Sequence, residues 1–345
     1  MYIKSFTNFV AIILTKSISM SDNNKPYVIG LDLGGTNSVF GIVDANANVI
    51  AETSVKTRGH NDDAQQYVDD CVVELRKIID QVGGLQKIRA MGIGAPNGNY
   101  YTGCIEFAPN LVWAHKIVPL AKMFSDALEG LPVALTNDAN AAAIGEMTYG
   151  AARGMKNFIM ITLGTGVGSG IVVNGQMVYG CDGMAGELGH VIVEKDGRDC
   201  GCGRKGCLET YCSATGITRT AHEVLETTNK PTILRDIPID QVDGLAITQA
   251  ARKGDAVALE IFEFTGRKLG EACANFACFN SPEAFIFFGG LSKAGDLIMD
   301  PIKRAYDETV LKIYKGKAKM LVSQLDDAKA AVLGASALGW EIAPE

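Results

Sequence analysis

The chain has 345 residues, room for about two domains, and carries 32 lysines and arginines against 39 aspartates and glutamates, a formal charge of −7. Hydrophobic residues at 47% and charged residues at 21% exclude a chain too polar to bury a core, and the mild acidity argues against a nucleic-acid binder, which would show a basic face. Glycine is in surplus, with 39 residues and no repeat period, so collagen is excluded and the positions of the glycines become the question.

Residues 1–20 differ in character from the rest of the chain. The apolar run Phe9 to Leu14 is far shorter than the ~20 residues of a membrane span. It faintly resembles a signal peptide, but no small-x-small cleavage site comes after it and Lys16 interrupts it. Residues 1–24 are read as an extension outside the core, with Met20 as the natural start. Strands are expected at Tyr27–Leu33, Ser38–Val43 and Val49–Lys56, an antiparallel opening to a sheet. The period of Tyr67, Val68, Cys71, Val72, Leu75, Ile78, Ile79 and Val82 predicts a helix over Asp63–Val82, stopped by Gly83-Gly84. Strands Ile88–Gly94 and Val133–Thr136 and an alanine-rich helix Asp138–Met147 complete a first half.

The pattern then restarts. Phe158–Leu163 and Gly170–Val173 read as strands, and Asn174-Gly175 as a hairpin turn into Gln176–Tyr179. Helices are expected at Ser213–Glu226, Leu245–Lys253, Ala256–Phe279 and Pro301–Tyr314, strands at Phe285–Phe288 and Met320–Ser323, and a closing helix at Asp327–Trp340. The repeat of strand, glycine turn and hairpin divides the chain into a small α/β domain (25–137), onto which a final helix (327–342) packs back, and a large one (138–326). A ligand belongs in the cleft between them.

Three glycine-rich turns come directly after strands. In Asp32-Leu33-Gly34-Gly35-Thr36-Asn37 the glycines let the backbone present N–H groups to an anion. Asp32 would repel phosphate directly, which makes sense with a magnesium ion between them. The second turn, Gly164-Thr165-Gly166-Val167-Gly168-Ser169-Gly170, places glycines where they weaken a sheet, and is read as close approach to a ligand. It lacks the GK[ST] ending of a Walker motif. Gly289-Gly290 forms a third wall.

His190, Cys200, Cys202 and Cys207 supply one imidazole and three thiols within eighteen residues, the donor set of a closed, structural zinc site. Cys212 is assigned to the next helix. The other cysteines are scattered in apolar stretches, as in a reduced, cytoplasmic protein. Asp138 comes after a strand and opens a helix, so it is either an N-cap or a carboxylate at the usual active-site edge of an α/β sheet. Glu187 and Glu209 flank the knuckle and suit sugar hydroxyls. Asn110 adds an amide and Trp113 a possible wall, while Glu106 and His115 carry little signal.

The strings DLGGTN at 32–37, NDANAAAIGE at 137–146, LGTGVGSG at 163–170, ELGH at 187–190 and CGCGRKGCLE at 200–209 resemble the ROK family of sugar kinases, in particular its bacterial glucokinases. The resemblance implies an actin-like (ribonuclease H-like) two-domain α/β ATPase fold with a central cleft and a small zinc-binding loop. It implies ATP and Mg²⁺, with Asp138 as general base accepting a proton from the primary hydroxyl of a hexose, glucose first. Asn110, Asn137, Glu187, His190 and Glu209 would contact the sugar. Asp32, Gly34, Gly35, Thr36, Asn37, Gly164, Thr165, Gly166, Gly289 and Gly290 would hold the nucleotide. N-acetylmannosamine, N-acetylglucosamine, mannose or fructose are alternative acceptors. A transcriptional regulator of the same family would need a helix-turn-helix ahead of the core, and the residues before Asp32 carry no such pattern. The expected partners are sugar, ATP and further copies in a homodimer or homotetramer, without nucleic acid or membrane. Where the family often has Gly-x-Pro-Gly, this chain has Gly94-Ala95-Pro96-Asn97-Gly98, which puts the choice of sugar in doubt.

Overall fold

The computed structural model describes residues 25–60, 62–325 and 329–343. The expectations for the N-terminal extension, and for where the closing helix starts, lie outside these residues. The first sheet contains β1 (Tyr27–Leu33), β2 (Asn37–Asp44), β3 (Val49–Lys56), β4 (Ile88–Ala95) and β5 (Val133–Asn137), in the order β3-β2-β1-β4-β5. Helices α1 (Ala64–Gln81) and α2 (Leu120–Ala127) belong to the same half. After α3 (Asp138–Tyr149) the chain enters a second sheet of β6 (Phe158–Leu163), β7 (Val167–Val173), β8 (Gln176–Met177), β9 (Ala284–Phe288) and β10 (Lys319–Val322), ordered β8-β7-β6-β9-β10. Helices α4 (Ala214–Thr227), α5 (Gly244–Arg252), α6 (Ala256–Asn280) and α7 (Asp296–Thr309) cover it, and α8 (Ala330–Ile342) ends the described chain.

The two sheets repeat one plan. In each, the first strand pairs antiparallel with the second and parallel with a later strand, which in turn pairs parallel with the last. Strand alternation explains the layers. In the second sheet Ile159, Ile161, Leu163, Phe285 and Phe287 face the large helical core, whereas Phe158, Met160 and Ile286 face α3. In the first, Ile29, Leu31 and Phe40 face α1 and α2, while Val28 and Val43 meet Val332 and Leu333 of α8.

Helices α3 and α8 lie between the sheets and pack on each other. Both are buried nearly all round, so neither needs an amphipathic pattern. Glycine makes this possible. A Cβ on Gly145 would stand 2.9 Å from the Gly334 Cα, and one on Gly334 would stand 2.5 Å from the Ala141 carbonyl oxygen. On the sheet side, a Cβ on Gly30 or Gly92 would strike the α8 backbone at Val332 and Ala335.

Several sequence expectations shift. The seventh helix begins at Asp296 rather than Pro301, and ends at Thr309. Gly295, at φ 66°, makes the turn into it. Pro301 sits inside the helix with its ring against Gly266 of α6. Strand β7 starts at Val167, so Gly168 and Gly170 lie within it. They serve packing and not ligand approach, since Cβ atoms there would come within 2.9 and 2.7 Å of Ala139 and Ala143 on α3. Leu259, although apolar, is 41% exposed on α6.

Gly92→Ala should therefore destabilise the protein by about 2 kcal/mol or more, the scale of core overpacking. Gly290→Ala, with open space around it, should leave the urea midpoint unchanged. Equal midpoints for the two variants would contradict this account of the seam.

Candidate active site

Strands β1, β4 and β5 run parallel, and their register places Asp32 beside Gly94 and Gly94 beside Thr136. The carboxyl ends of three strands thus line up on one edge, with the turn Gly34–Asn37 leaving β1 and α3 leaving β5. Asn137 is the N-cap of α3, its Oδ1 accepting the Ala139 N–H at 2.8 Å. That leaves Asp138 as the first helical residue. Its Oδ1 also accepts from the Ala139 N–H, at 2.7 Å.

The acidic groups expected at the site converge. Burial raises the Asp32 carboxyl to about 6, with the charge of Asp138 adding to the effect. Asp138 is itself raised by burial, against the Ala139 hydrogen bond. Glu187 is raised first by burial. His190 pulls it back, while Asp138 and Glu209 push it further. Asp138, Glu187, His190 and Glu209 therefore share one electrostatic neighbourhood.

One cavity opens on this edge, and a second lies on the side of the second sheet. The smaller, of about 260 Å³, is lined by Asn97, Gly98, Asn137, Asn140, Glu187 and His190 together with the 183–185 loop. Its polar walls suit a molecule rich in hydroxyls. The larger, of about 850 Å³, is lined by Gly164, Thr165, Thr215, Leu245, Gly290 and Lys293 among others. Gly164 and Gly290 have open space where a Cβ would be. Gly289, at φ 103°, closes against the Leu163 carbonyl.

The remaining expected residues have definite places. Glu209 turns one carboxylate oxygen to the Val167 N–H at 3.0 Å and the other toward the Cys200 Sγ at 3.8 Å. Gly166 leaves room for it, because a Cβ there would strike that carboxylate. Neither Glu209 nor Asn110 lines the smaller cavity. Asn110 is exposed, with its carbonyl against Gly35. Trp113 forms no wall: it is wholly buried, 5.1 Å from the Tyr67 ring. Asn140 is a residue that sequence reasoning misses. It is 3% exposed, lines the smaller cavity and has an unpartnered Oδ1. Its i+3 spacing from Asn137 is the one signal that could reveal it.

The cavity walls come from both halves. Asn99 Nδ2 donates to the Asp182 carbonyl at 2.7 Å and Tyr101 Oη to the Gly180 carbonyl at 2.9 Å. Tyr100 stacks on Tyr179 with centroids 4.1 Å apart. Gly183 and Gly186, at φ 89° and 97°, shape the loop that delivers Glu187. Ser169 holds that loop by donating to the Gly186 carbonyl and accepting the Leu188 N–H at 3.1 Å.

The donor atoms of His190, Cys200, Cys202 and Cys207 all lie within 4.8 Å of one another. Cys202 and Cys207 sulfurs are 3.7 Å apart, as are the Cys200 sulfur and His190 Nδ1. Tetrahedral zinc with bonds of ~2.3 Å to sulfur separates ligand atoms by about 3.8 Å, so the cluster fits that ion. Behind it, Arg198 donates to the Thr210 carbonyl at 2.7 Å and to Glu223 at 2.5 Å and stacks on Tyr211, tying the knuckle to α4.

The ROK family model matches residues 28–341. The chain belongs to the ROK family. A glucokinase from Streptomyces coelicolor is 36% identical over 322 residues, covering 92% of this chain and 98% of that one. The solved ROK family glucokinase from Streptomyces griseus, in complex with glucose and AMPPNP, is 36% identical. It covers 91% of this chain and 99% of its own, with a TM-score of 0.74. A ROK family transcriptional regulator, a homolog of the E. coli MLC protein, is 26% identical with a TM-score of 0.81, and this chain spans 78% of it. The protein is a ROK enzyme of the kinase class with the actin-like ATPase fold. No helix among the described residues is long and apolar enough to cross a membrane.

Replacing Cys202 and Cys207 together by serine should abolish zinc in the purified protein, measured by elemental analysis. Zinc retained at one equivalent would refute the four-ligand site.

Proposed function

We propose that this ROK enzyme transfers the γ-phosphoryl group of ATP to the primary hydroxyl of a hexose, glucose before others. The observation that carries the reading is the closeness of Asp138 to Glu187 and His190, both of which line the small cavity together with Asn137 and Asn140. The kinship with glucokinases supports it.

In this reading the sugar lies in the smaller cavity against Asn137, Glu187 and His190, with Glu209 and Asn110 at its margins. The nucleotide lies in the larger cavity, its phosphates reaching Gly34, Gly35 and Thr36 on one side and Gly164 and Thr165 on the other. Asp138 stands at the meeting point and accepts the hydroxyl proton as the oxygen attacks phosphorus. Its raised affinity for protons makes it a stronger base than an ordinary carboxylate. Asp32 fits a magnesium ion, because it offers hard oxygen donors and its repulsion with Asp138 is of the kind a cation relieves. When bound, that ion neutralises charge on the donor phosphates. His190, Cys200, Cys202 and Cys207 would hold a zinc ion, which would fix the orientation of His190 beside the cavity it lines.

Asp138→Asn should bind sugar normally and turn over at least about a hundredfold more slowly. Since Asp138 must be ionised to accept a proton and its pKa is raised, kcat should fall with decreasing pH from a point above the usual carboxylate range. Near-normal turnover in the variant would remove Asp138 from the role. An ADP-release assay over hexoses and N-acetylhexosamines tests the acceptor. An N-acetylated sugar ranking far above glucose would move the enzyme to that branch of the family.

A further inference from the structure

The turn that faces the phosphates is held from behind by two residues that belong to none of the motif strings. Three successive carbonyls, those of Gly34, Gly35 and Thr36, accept hydrogen bonds from the segment after β3. Thr57 Oγ1 donates to Gly34 O at 2.7 Å, Arg58 Nε to Gly35 O at 3.0 Å, and the Thr57 N–H to Thr36 O at 2.9 Å. In a planar trans peptide the carbonyl of one residue and the N–H of the next point in opposite directions. Anchoring the Gly34 and Gly35 carbonyls on Thr57 and Arg58 therefore turns the N–H groups of Gly35 and Thr36 away from that segment. Neither N–H has an acceptor among the described residues.

The hydroxyl of Thr57 ends a buried chain whose direction can be deduced. Ser38 Oγ lies 2.8 Å from Thr57 Oγ1 and 2.7 Å from Tyr67 Oη, and all three residues are wholly buried. Thr57 spends its one proton on the Gly34 carbonyl, so Ser38 must donate to Thr57. Ser38 has then spent its own proton, so Tyr67 must donate to Ser38. The chain runs one way, from Tyr67 through Ser38 and Thr57 to Gly34. Tyr67 is fixed in turn by edge contacts with His60 at 5.5 Å and Trp113 at 5.1 Å.

We propose that Thr57 and Arg58 are positioning residues for the phosphoryl donor, with the Tyr67–Ser38–Thr57 hydroxyl chain aiming two backbone N–H groups at its phosphates. This rests on the reading of the cleft as an ATP site and assigns that site a support the family motifs do not contain. Thr57→Val keeps the side-chain shape but leaves the Gly34 carbonyl and the Ser38 hydroxyl unpaired. Thr57→Ser keeps the bond.

The test is calorimetric titration of the purified protein with Mg-AMPPNP and, separately, with glucose, alongside steady-state turnover. Thr57→Val should weaken nucleotide binding about fivefold or more, the equivalent of one net hydrogen bond, and raise KM for ATP in step. Glucose affinity should stay within about twofold. Thr57→Ser should restore nucleotide binding. Arg58→Ala changes only an exposed side chain and should show the same split if Thr57→Val does not fold. Unchanged nucleotide affinity in both Thr57→Val and Arg58→Ala, or nucleotide and glucose affinity falling together, would overturn the proposal. If the wild type binds Mg-AMPPNP but phosphorylates no hexose, the functional reading fails while the positioning role is still decided by the titrations. If it binds no nucleotide, both fail.

Discussion

The geometry of the cleft depends on how closely α3 and α8 approach. Helix α3 carries Asp138 at its first turn, and α8 seats α3 against the sheet that carries Asp32. Two glycines, Gly145 and Gly334, set that spacing, and Gly30 and Gly92 let α8 lie directly on β1 and β4. A methyl group at any of these positions would lift a helix by a fraction of its diameter. Displacements of that size separate a productive carboxylate from an idle one. The constraint is steric and local, yet it places Asp138 close enough to raise the proton affinity of Asp32, a carboxylate of another element.

The glycine surplus thus has three origins that composition cannot separate. Gly164 and Gly290 border open space beside the larger cavity, Gly183 and Gly186 hold left-handed backbone in the loop before Glu187, and Gly30, Gly92, Gly145 and Gly334 are contact surfaces for helices. From one sequence, a glycine that meets a ligand and one that meets a helix look the same, which is why Gly168 and Gly170 read as ligand-facing. Periodicity serves better. The core of α1 and the strands Tyr27–Leu33 and Phe158–Leu163 appear as the alternation implies, because a buried face repeats at the period of its element. Pro301 misleads for a physical reason: proline usually opens a helix, but here its ring fills the space over Gly266.

The candidate site is legible where chemistry demands rare residues close together. Three cysteines and a histidine in a short stretch leave few alternatives, and their donor atoms do gather. Asn140 and Thr57 are not legible. Each is an ordinary polar residue whose importance comes from burial, and burial at these positions arises from tertiary packing, not from local pattern. Trp113 shows the converse: a large aromatic near a motif looks like a ligand wall until Tyr67 is found against it. Glu209 joins the two cases, since one carboxylate touches both the second glycine turn and the neighbourhood of Cys200. Through it the zinc loop and the nucleotide side share a mechanical element.

The stack of Tyr100 on Tyr179 and the hydrogen bonds from Asn99 and Tyr101 join the two walls of the smaller cavity. Widening that cavity means parting an aromatic pair and two bonds whose partners lie about eighty residues apart in the chain. With the sugar in the smaller cavity, as proposed above, its residence time depends on how often these loops separate as well as on the contacts the sugar itself makes. Two sugars of equal affinity would leave at similar rates, and a change confined to the tyrosine pair would alter both rates together.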